Sequence, residues 1–182
     1  MRIAFSKSIL KTIACWLSGF FVWFGLLAGC AGFKISLNGA TIPPEAKSIS
    51  VAMFLDDAGT GPPNLAITTT EKMRSYFQRN TRLDVIAGNG DLQYEGSVTG
   101  YTVTPVAPTG EDTQQAGLQR LTITLQVQYL NTFDEEAGFD ESFSFFADFP
   151  PDKNITDVER DLIEVILNQI MFDVFNRSLA NW

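Results

Sequence analysis

Residues 121–129 read Leu-Thr-Ile-Thr-Leu-Gln-Val-Gln-Tyr, and this stretch determines the expected fold of the 182-residue chain. Every odd position is apolar or aromatic, and every even position is threonine or glutamine. A period of two is typical of a β-strand with one buried and one polar face. We therefore predict a strand within a sheet that has a core on one side and a wet surface on the other.

The segments beside this strand continue the alternation. Residues 92 to about 103 predict a long strand in which Gly96 and Gly100 mark bends or close approaches. After an acidic turn at 134–138, alternating phenylalanines predict a partner strand, and hence a hairpin. The expected inward residues are Leu92, Tyr94, Val98 and Thr102 on the first of these strands and Phe139, Phe143, Phe145 and Phe149 on the second.

The remaining elements are shorter or helical. Residues 48–55 alternate as a strand, and 65–80 have apolar residues at helical spacing. The short stretch 83–86, apolar except for Asp84, precedes a Gly-Asn-Gly-Asp turn at 88–91, which predicts a hairpin with the strand that follows. A Thr-x-x-Glu capping box at 156–159 predicts the start of a last helix.

This order of elements predicts an α+β fold, with two helices packed on one face of a mostly antiparallel four- to five-stranded sheet. The other face would be polar. Solvation and contact with a wet partner, such as a protein cavity, both account for such a face. Its expected members are Thr122, Thr124, Gln126, Gln128, Ser142 and Ser144, with Phe146 and Tyr101 as apolar exceptions.

The N-terminus carries an export signal. Basic residues precede an apolar stretch that ends in Leu27-Ala28-Gly29-Cys30, which is typical of a lipoprotein signal peptide. We predict that residues 1–29 are removed, Cys30 is acylated, 30–44 form a tether, and 45–182 form one domain. A transmembrane helix is the alternative, but Lys11 and several glycines interrupt the run, and no basic cluster follows it.

Composition excludes several classes of function. Cleavage would leave 10 of the 13 Lys and Arg against all 21 Asp and Glu, a net charge of −11, which argues against nucleic acid. The chain has no histidine, and its two cysteines, Cys15 and Cys30, belong to the signal and the anchor. We therefore expect no catalytic residue, no metal site, no cofactor and no enzymatic activity. The acidic clusters at 111–112 and 134–136 are best explained as solvated turns.

One basic cluster remains as a candidate site. It comprises Lys72, Arg74, Arg79 and Arg82, at the end of the first predicted helix and in the turn after it. Cations there complement the helix dipole, and they could also contact phosphates on a ligand or lipid.

The chain resembles the LptE family of lipopolysaccharide-assembly lipoproteins. The resemblance rests on the lipobox, on Ile-Pro-Pro-Glu-Ala at 42–46, on Leu-Gln-Tyr-Glu-Gly at 92–96, and on further strings at 120–124, 142–149 and 180–182. It covers nearly all of the chain from Gly39 to Trp182.

The resemblance implies an outer-membrane lipoprotein that plugs the β-barrel LptD and aids delivery of lipopolysaccharide to the cell surface. The protein would lie on the periplasmic side or within the barrel lumen. The resemblance implies that basic residues contact lipopolysaccharide phosphates. No motif transfers the family's positions individually, so the basic cluster of this chain, Lys72, Arg74, Arg79 and Arg82, is the candidate for that contact. One alternative is a periplasmic lipid- or solute-binding lipoprotein without a barrel partner, and another is a hydrolase that uses Asp and Glu.

Overall fold

The structure is a computed structural model, and it describes residues 42–107 and 117–179. The predicted signal peptide, Cys30, most of the tether and the last three residues lie outside the described residues. The elements, in chain order, are β1 (Ser48–Val51), β2 (Leu55–Asp56), α1 (Leu65–Asn80), β3 (Asp84–Ile86), β4 (Leu92–Val106), β5 (Leu118–Asn131), a 3-10 turn (Glu135–Ala137), β6 (Phe139–Phe149) and α2 (Ile155–Leu179).

The strands form one mixed sheet in the order β3-β1-β4-β5-β6, with β2 also paired to β4. Strands β4, β5 and β6 are antiparallel, whereas β1 runs parallel to β3 and β4, and β2 runs parallel to β4. The predicted α+β class is confirmed, and so is the β5–β6 hairpin. The predicted count of four to five strands was too low, and the parallel pairings of the three short strands were not foreseen.

The predicted hairpin between residues 83–86 and β4 was wrong, because β1 lies between β3 and β4. The linking residues cross over the backbone of β1. A Cβ atom on Gly90 would lie 2.7 Å from the backbone nitrogen of Ser50, and the Gly90 N–H donates to the Ser50 hydroxyl at 3.0 Å. Gly90 is therefore needed because the chain passes close to the backbone of β1. The sequence had instead suggested a tight turn between two paired strands.

A bulge in β4 reverses the orientation of its second half. The register with β5 shifts between Val98, which pairs with Leu125, and Gly100, which pairs with Thr124. The extra residue sends Tyr101 to the helix side, where its hydroxyl donates to Glu159 of α2 at 2.5 Å. The prediction that Tyr101 lies on the polar face was wrong, and so was the inward placement of Thr102, which is exposed.

The core lies between the two helices and one face of the sheet. All five odd positions of residues 121–129 are buried, as predicted. Both helices contribute to the same core cluster, with Met73 and Phe77 from α1 and Ile166, Leu167 and Ile170 from α2. Aromatic rings then continue across the sheet: Phe77–Tyr94, Tyr94–Tyr129 and Tyr129–Phe139 have centroid separations of 4.5, 4.8 and 5.3 Å.

Helix α1 has the predicted bounds, and the buried Thr70 links it to the segment between β1 and β2. The Thr70 hydroxyl donates to the Ala66 carbonyl at 2.8 Å and accepts the Phe54 N–H at 3.0 Å. Helix α2 begins at Ile155, one residue before the predicted cap. Thr156 therefore lies in the first turn of α2 and the predicted capping box is not formed.

A carboxylate joins the start of β1 to the start of β4. One oxygen of Asp91 accepts the N–H groups of Lys47 and Ser48 at 2.8 and 3.0 Å and the Ser48 hydroxyl at 2.9 Å. These hydrogen bonds lower the pKa of Asp91 because they favour the ionised form, and the bond from the Lys47 N–H has the largest effect. We call this arrangement the Asp91 clasp.

Gly90→Ala tests the close crossing of β1. The added methyl group would meet backbone atoms of Ile49 and Ser50 that cannot move away, so we expect a loss of about 2 kcal/mol in the free energy of unfolding. Gly100→Ala is the matched control, because its methyl group would meet the Thr124 side chain at 3.3 Å and no backbone atom closer than 3.9 Å. Urea unfolding followed by circular dichroism measures both, and equal losses would contradict the crossing.

Asp91→Asn tests the clasp through its pH dependence. A lowered pKa in the folded state means that the ionised carboxylate stabilises the protein above the pKa of the unfolded chain, about 4. This stabilisation is lost as the pH falls through the folded-state pKa. We expect the variant to melt at a lower temperature than the wild type at pH 7. The difference between the two melting temperatures should become smaller below about pH 4. Asp152→Asn, in an exposed turn, is the control, and a gap that does not change with pH would refute the clasp.

Candidate functional site

The sheet surface away from the helices, here called the open face, is the main candidate site. Strand register assigns its members, because directly paired residues share a face. Strand β5 runs through its middle, flanked by β4 and β6. The polar members are Arg120, Thr122, Thr124, Gln126 and Gln128 on β5, Asp140, Ser142, Ser144 and Asp148 on β6, and Gln93, Glu95, Ser97, Thr102 and Thr104 on β4. The predicted polar face is thus present.

Side chains on the open face bond to one another across the strands. The hydroxyls of Thr124 and Ser144, which are directly paired, lie 3.0 Å apart. The Gln126 amide donates to Asp140 at 2.6 Å. Hydrogen bonds between side chains of β5 and β6 therefore order the polar centre of the face.

A cation, a ring and a carboxylate form a further cluster near the edge of the open face. The Arg120 guanidinium donates two hydrogen bonds to Asp148, at 2.7 and 2.9 Å, and lies 3.6 Å from the centroid of the Phe146 ring. The hydrogen bond from Arg120 lowers the pKa of Asp148. This cluster was not predicted from the sequence. Counting residues outward from the 134–138 turn would have paired Arg120 with Asp152, whereas the observed register pairs Tyr129 with Phe139 and so brings Arg120 opposite Asp148.

Apolar side chains surround the polar centre of the open face. They lie on the outer strands or at the ends of β5, and each is between 39% and 64% exposed. These rim residues are Leu55, Ile86, Leu118, Leu130 and Phe146. The arrangement is the reverse of an ordinary protein interface, which has an apolar centre and a polar rim.

The basic residues predicted as a site do not act as one cluster. Lys72 forms an ion pair with Glu164 of α2 at 3.0 Å. Arg74 turns toward the sheet and donates to the Val51 carbonyl at 3.2 and 2.6 Å. Arg79, in the last turn of α1, and Arg82, just after it, are exposed. Two of the four residues thus hold elements together, and two face solvent.

Neither metal chemistry nor a membrane helix is indicated by the described part of the chain. Within residues 42–107 and 117–179, no three His, Cys, Asp or Glu side chains are grouped so that they could hold a metal ion. Neither α1 nor α2 combines the length and the apolar character that a membrane crossing needs. The acidic turn at 134–136 is exposed, and Asp134 accepts the Glu136 N–H at 3.2 Å, as a solvated turn would.

Several solved structures resemble the domain. A hypothetical protein from Chlamydia trachomatis has a TM-score of 0.50 at 8% identity, covering 75% of this chain and 99% of its own. An uncharacterised lipoprotein B from Nitrosomonas europaea has a TM-score of 0.49 at 11% identity, covering 79% and 88%. The rare lipoprotein B from Shewanella oneidensis has a TM-score of 0.42 at 10% identity, covering 72% and 89%. At 8% identity, the similarity to the protein from Chlamydia trachomatis shows a shared fold and nothing more.

Sequence comparison identifies the family. No curated protein matches this chain. The family model described as LptE, lipopolysaccharide-assembly, matches residues 46–178, which include all the strands and both helices except one terminal residue. The resemblance noted in the sequence is thereby confirmed, and the chain belongs to the LptE family of lipopolysaccharide-assembly proteins.

Proposed function

We propose that this protein is an outer-membrane lipoprotein that plugs the barrel LptD, supports its assembly and aids delivery of lipopolysaccharide to the cell surface. In this proposal residues 1–29 are removed, Cys30 carries the lipid anchor, 30–44 are the tether, and 45–182 form the plug domain. Family membership supports the role in lipopolysaccharide assembly. The observation that carries the finer proposal is the open face, with its polar centre and apolar rim.

A barrel lumen suits such a surface. The interior of a large barrel is polar and holds water, so a plug need not lose the hydration of its whole surface. On the open face, the hydroxyl and amide network would stay wet, while Leu118, Leu130 and Phe146 would touch the barrel wall. Strand β5 has 14 residues and spans about 45 Å, which exceeds the roughly 30 Å of a bilayer hydrocarbon core. The domain is therefore long enough to occupy the depth of a barrel.

The proposed role makes and breaks no covalent bond. The domain fills space, stabilises the barrel during assembly and limits leakage while lipopolysaccharide passes. Lipopolysaccharide phosphates would be contacted by the basic residues Lys72, Arg74, Arg79 and Arg82. Arg79 and Arg82 are the better candidates, because Lys72 and Arg74 already serve α2 and β1.

Gln128→Arg tests the open face. Gln128 is exposed on β5, and a bulky cation there should hinder enclosure by a wall shaped to this face. When membranes are solubilised in mild detergent, we expect the acylated full-length variant to recover roughly tenfold less barrel than the wild type. A tenfold loss of affinity is equivalent to about 1.4 kcal/mol of binding free energy. Asn168→Arg makes the same charge change on the exposed side of α2 and serves as the control.

The wild-type protein should recover a large β-barrel in near-equal amount. Failure to recover one, under conditions in which known barrel complexes survive, would refute the plug proposal. Lipid copurifying with the domain alone would then favour the lipid-binding alternative. Equal recovery with Gln128→Arg and Asn168→Arg would show that the open face does not meet the wall.

Two pairs of basic residues separate lipopolysaccharide contact from a structural role. Replacing Arg79 and Arg82 by glutamine should reduce lipopolysaccharide binding several-fold and leave the melting temperature nearly unchanged. Replacing Lys72 and Arg74 by glutamine should lower the melting temperature, because contacts to Glu164 and Val51 are lost. Unchanged binding when all four are replaced would remove the proposed contact.

A further inference from the structure

The two edges of the sheet differ greatly in length. The edge strand β3 has three residues, whereas β6 at the opposite edge has eleven. Strand β6 pairs with β5 along its whole length, from Phe139 to Phe149, and no strand within the described ranges pairs with its other side. A row of backbone N–H and C=O groups on β6 is therefore available to a further strand.

The composition of β6 favours strand addition at its centre. Native edge strands are protected by short length, proline, bulges or charge. Here the charged residues Asp140, Glu141 and Asp148 lie near the ends, while the centre, Ser-Phe-Ser-Phe-Phe-Ala at 142–147, is uncharged and rich in aromatic residues. Phe143 and Phe145 on the helix side are only half-buried, so a neighbouring strand would bury more of both rings.

We propose that β6 pairs antiparallel with β6 of a second copy of this chain, so that two sheets join around a two-fold axis at Phe143. A two-fold interface needs a surface that complements itself, and an antiparallel pair of identical strands meets that need. A closed barrel has no free strand edge, so another copy of β6 is a better source of a matching strand than the barrel wall. The dimer is thus a state of the protein outside the barrel.

Charge selects this register over the one centred on Ser144. If the axis passed through Ser144, Asp140 of each copy would lie opposite Asp148 of the other, which places like charges together twice. With the axis at Phe143, Ser142 lies opposite Ser144, and Glu141 lies opposite Phe145. Asp140 then lies opposite Phe146, whose ring already carries the Arg120 guanidinium at 3.6 Å. Moving the axis from Ser144 to Phe143 therefore removes the repulsion between Asp140 and Asp148 and brings Asp140 near the Arg120 guanidinium.

Membrane anchoring favours the same association. Confinement of two chains to one membrane surface raises their effective concentration without any new contact. This step rests on the proposed acylation of Cys30, whereas strand pairing itself does not. The net negative charge of the protein opposes association in solution, so we expect the dimer to be more populated for the anchored form.

Cysteine cross-linking tests both the pairing and its register. The only natural cysteines are Cys15 and Cys30, and neither lies in the domain at 45–182. A disulfide within the domain can therefore form only through a cysteine introduced on β6. Two differently tagged full-length chains, Ser142→Cys and Ser144→Cys, are expressed together in cells depleted of the barrel and oxidised gently in their membranes. We expect the mixed disulfide to exceed either symmetric disulfide at least fivefold. Gln126→Cys is the control, because it lies one strand inward and would be about 14 Å from its copy, beyond disulfide reach.

Mass measurement provides an independent test. The acylated wild type in detergent should change from dimer to monomer on dilution. Ser144→Lys places a charge at the centre of the edge and should raise the dissociation constant at least tenfold, whereas Gln126→Lys should leave it within twofold. Circular dichroism spectra of both variants should match that of the wild type, which shows that the fold is retained.

The proposal is overturned if the wild type is monomeric at every concentration, or if symmetric disulfides of Ser144→Cys exceed the mixed one. These experiments use the protein without its barrel. A failure of strand pairing would therefore leave the barrel recovery experiment unaffected, and absence of a barrel would leave the dimer measurable.

Discussion

The antiparallel pairing of β5 with both β4 and β6 is the constraint on which the rest of the structure depends. Side chains on a strand alternate, so a slip of one residue between these strands would move every apolar residue of 121–129 into water. The register instead gathers the buried side chains of three strands on one face, where both helices cover them. Core, open face and free edge all follow from this pairing.

Two local features of the backbone adapt that regular sheet. The bulge after Val98 places Tyr101 under α2, where burial and the hydrogen bond to Glu159 raise the pKa of the tyrosine. The crossing at Gly90 lets β1 enter between β3 and β4, and the Asp91 clasp then holds the start of β1. Both features are short, and both change which residues meet the core and which meet solvent.

The polar and charged residues divide into those that stabilise the domain and those that remain available to partners. Lys72 and Arg74 belong to the first group, because one joins the helices and the other binds the end of β1. Arg79, Arg82 and the rim of the open face belong to the second. In the proposed function, an acidic domain would contact an anionic glycolipid only locally, and the exposed pair Arg79 and Arg82 would suit such a contact better than the whole predicted cluster.

Sequence alone determined the elements whose patterns are long and regular. The period of two in 121–129, the bounds of α1, the polar open face and the family resemblance were all predicted, because each depends on residues close together in the chain. The tertiary structure decided the parallel entry of β1, the orientation of residues after the bulge, the pairing of Arg120 with Phe146 and Asp148, and the roles of Lys72 and Arg74. Each of these depends on which distant segments come together, and local periodicity carries no information about a partner strand that inserts from elsewhere in the chain.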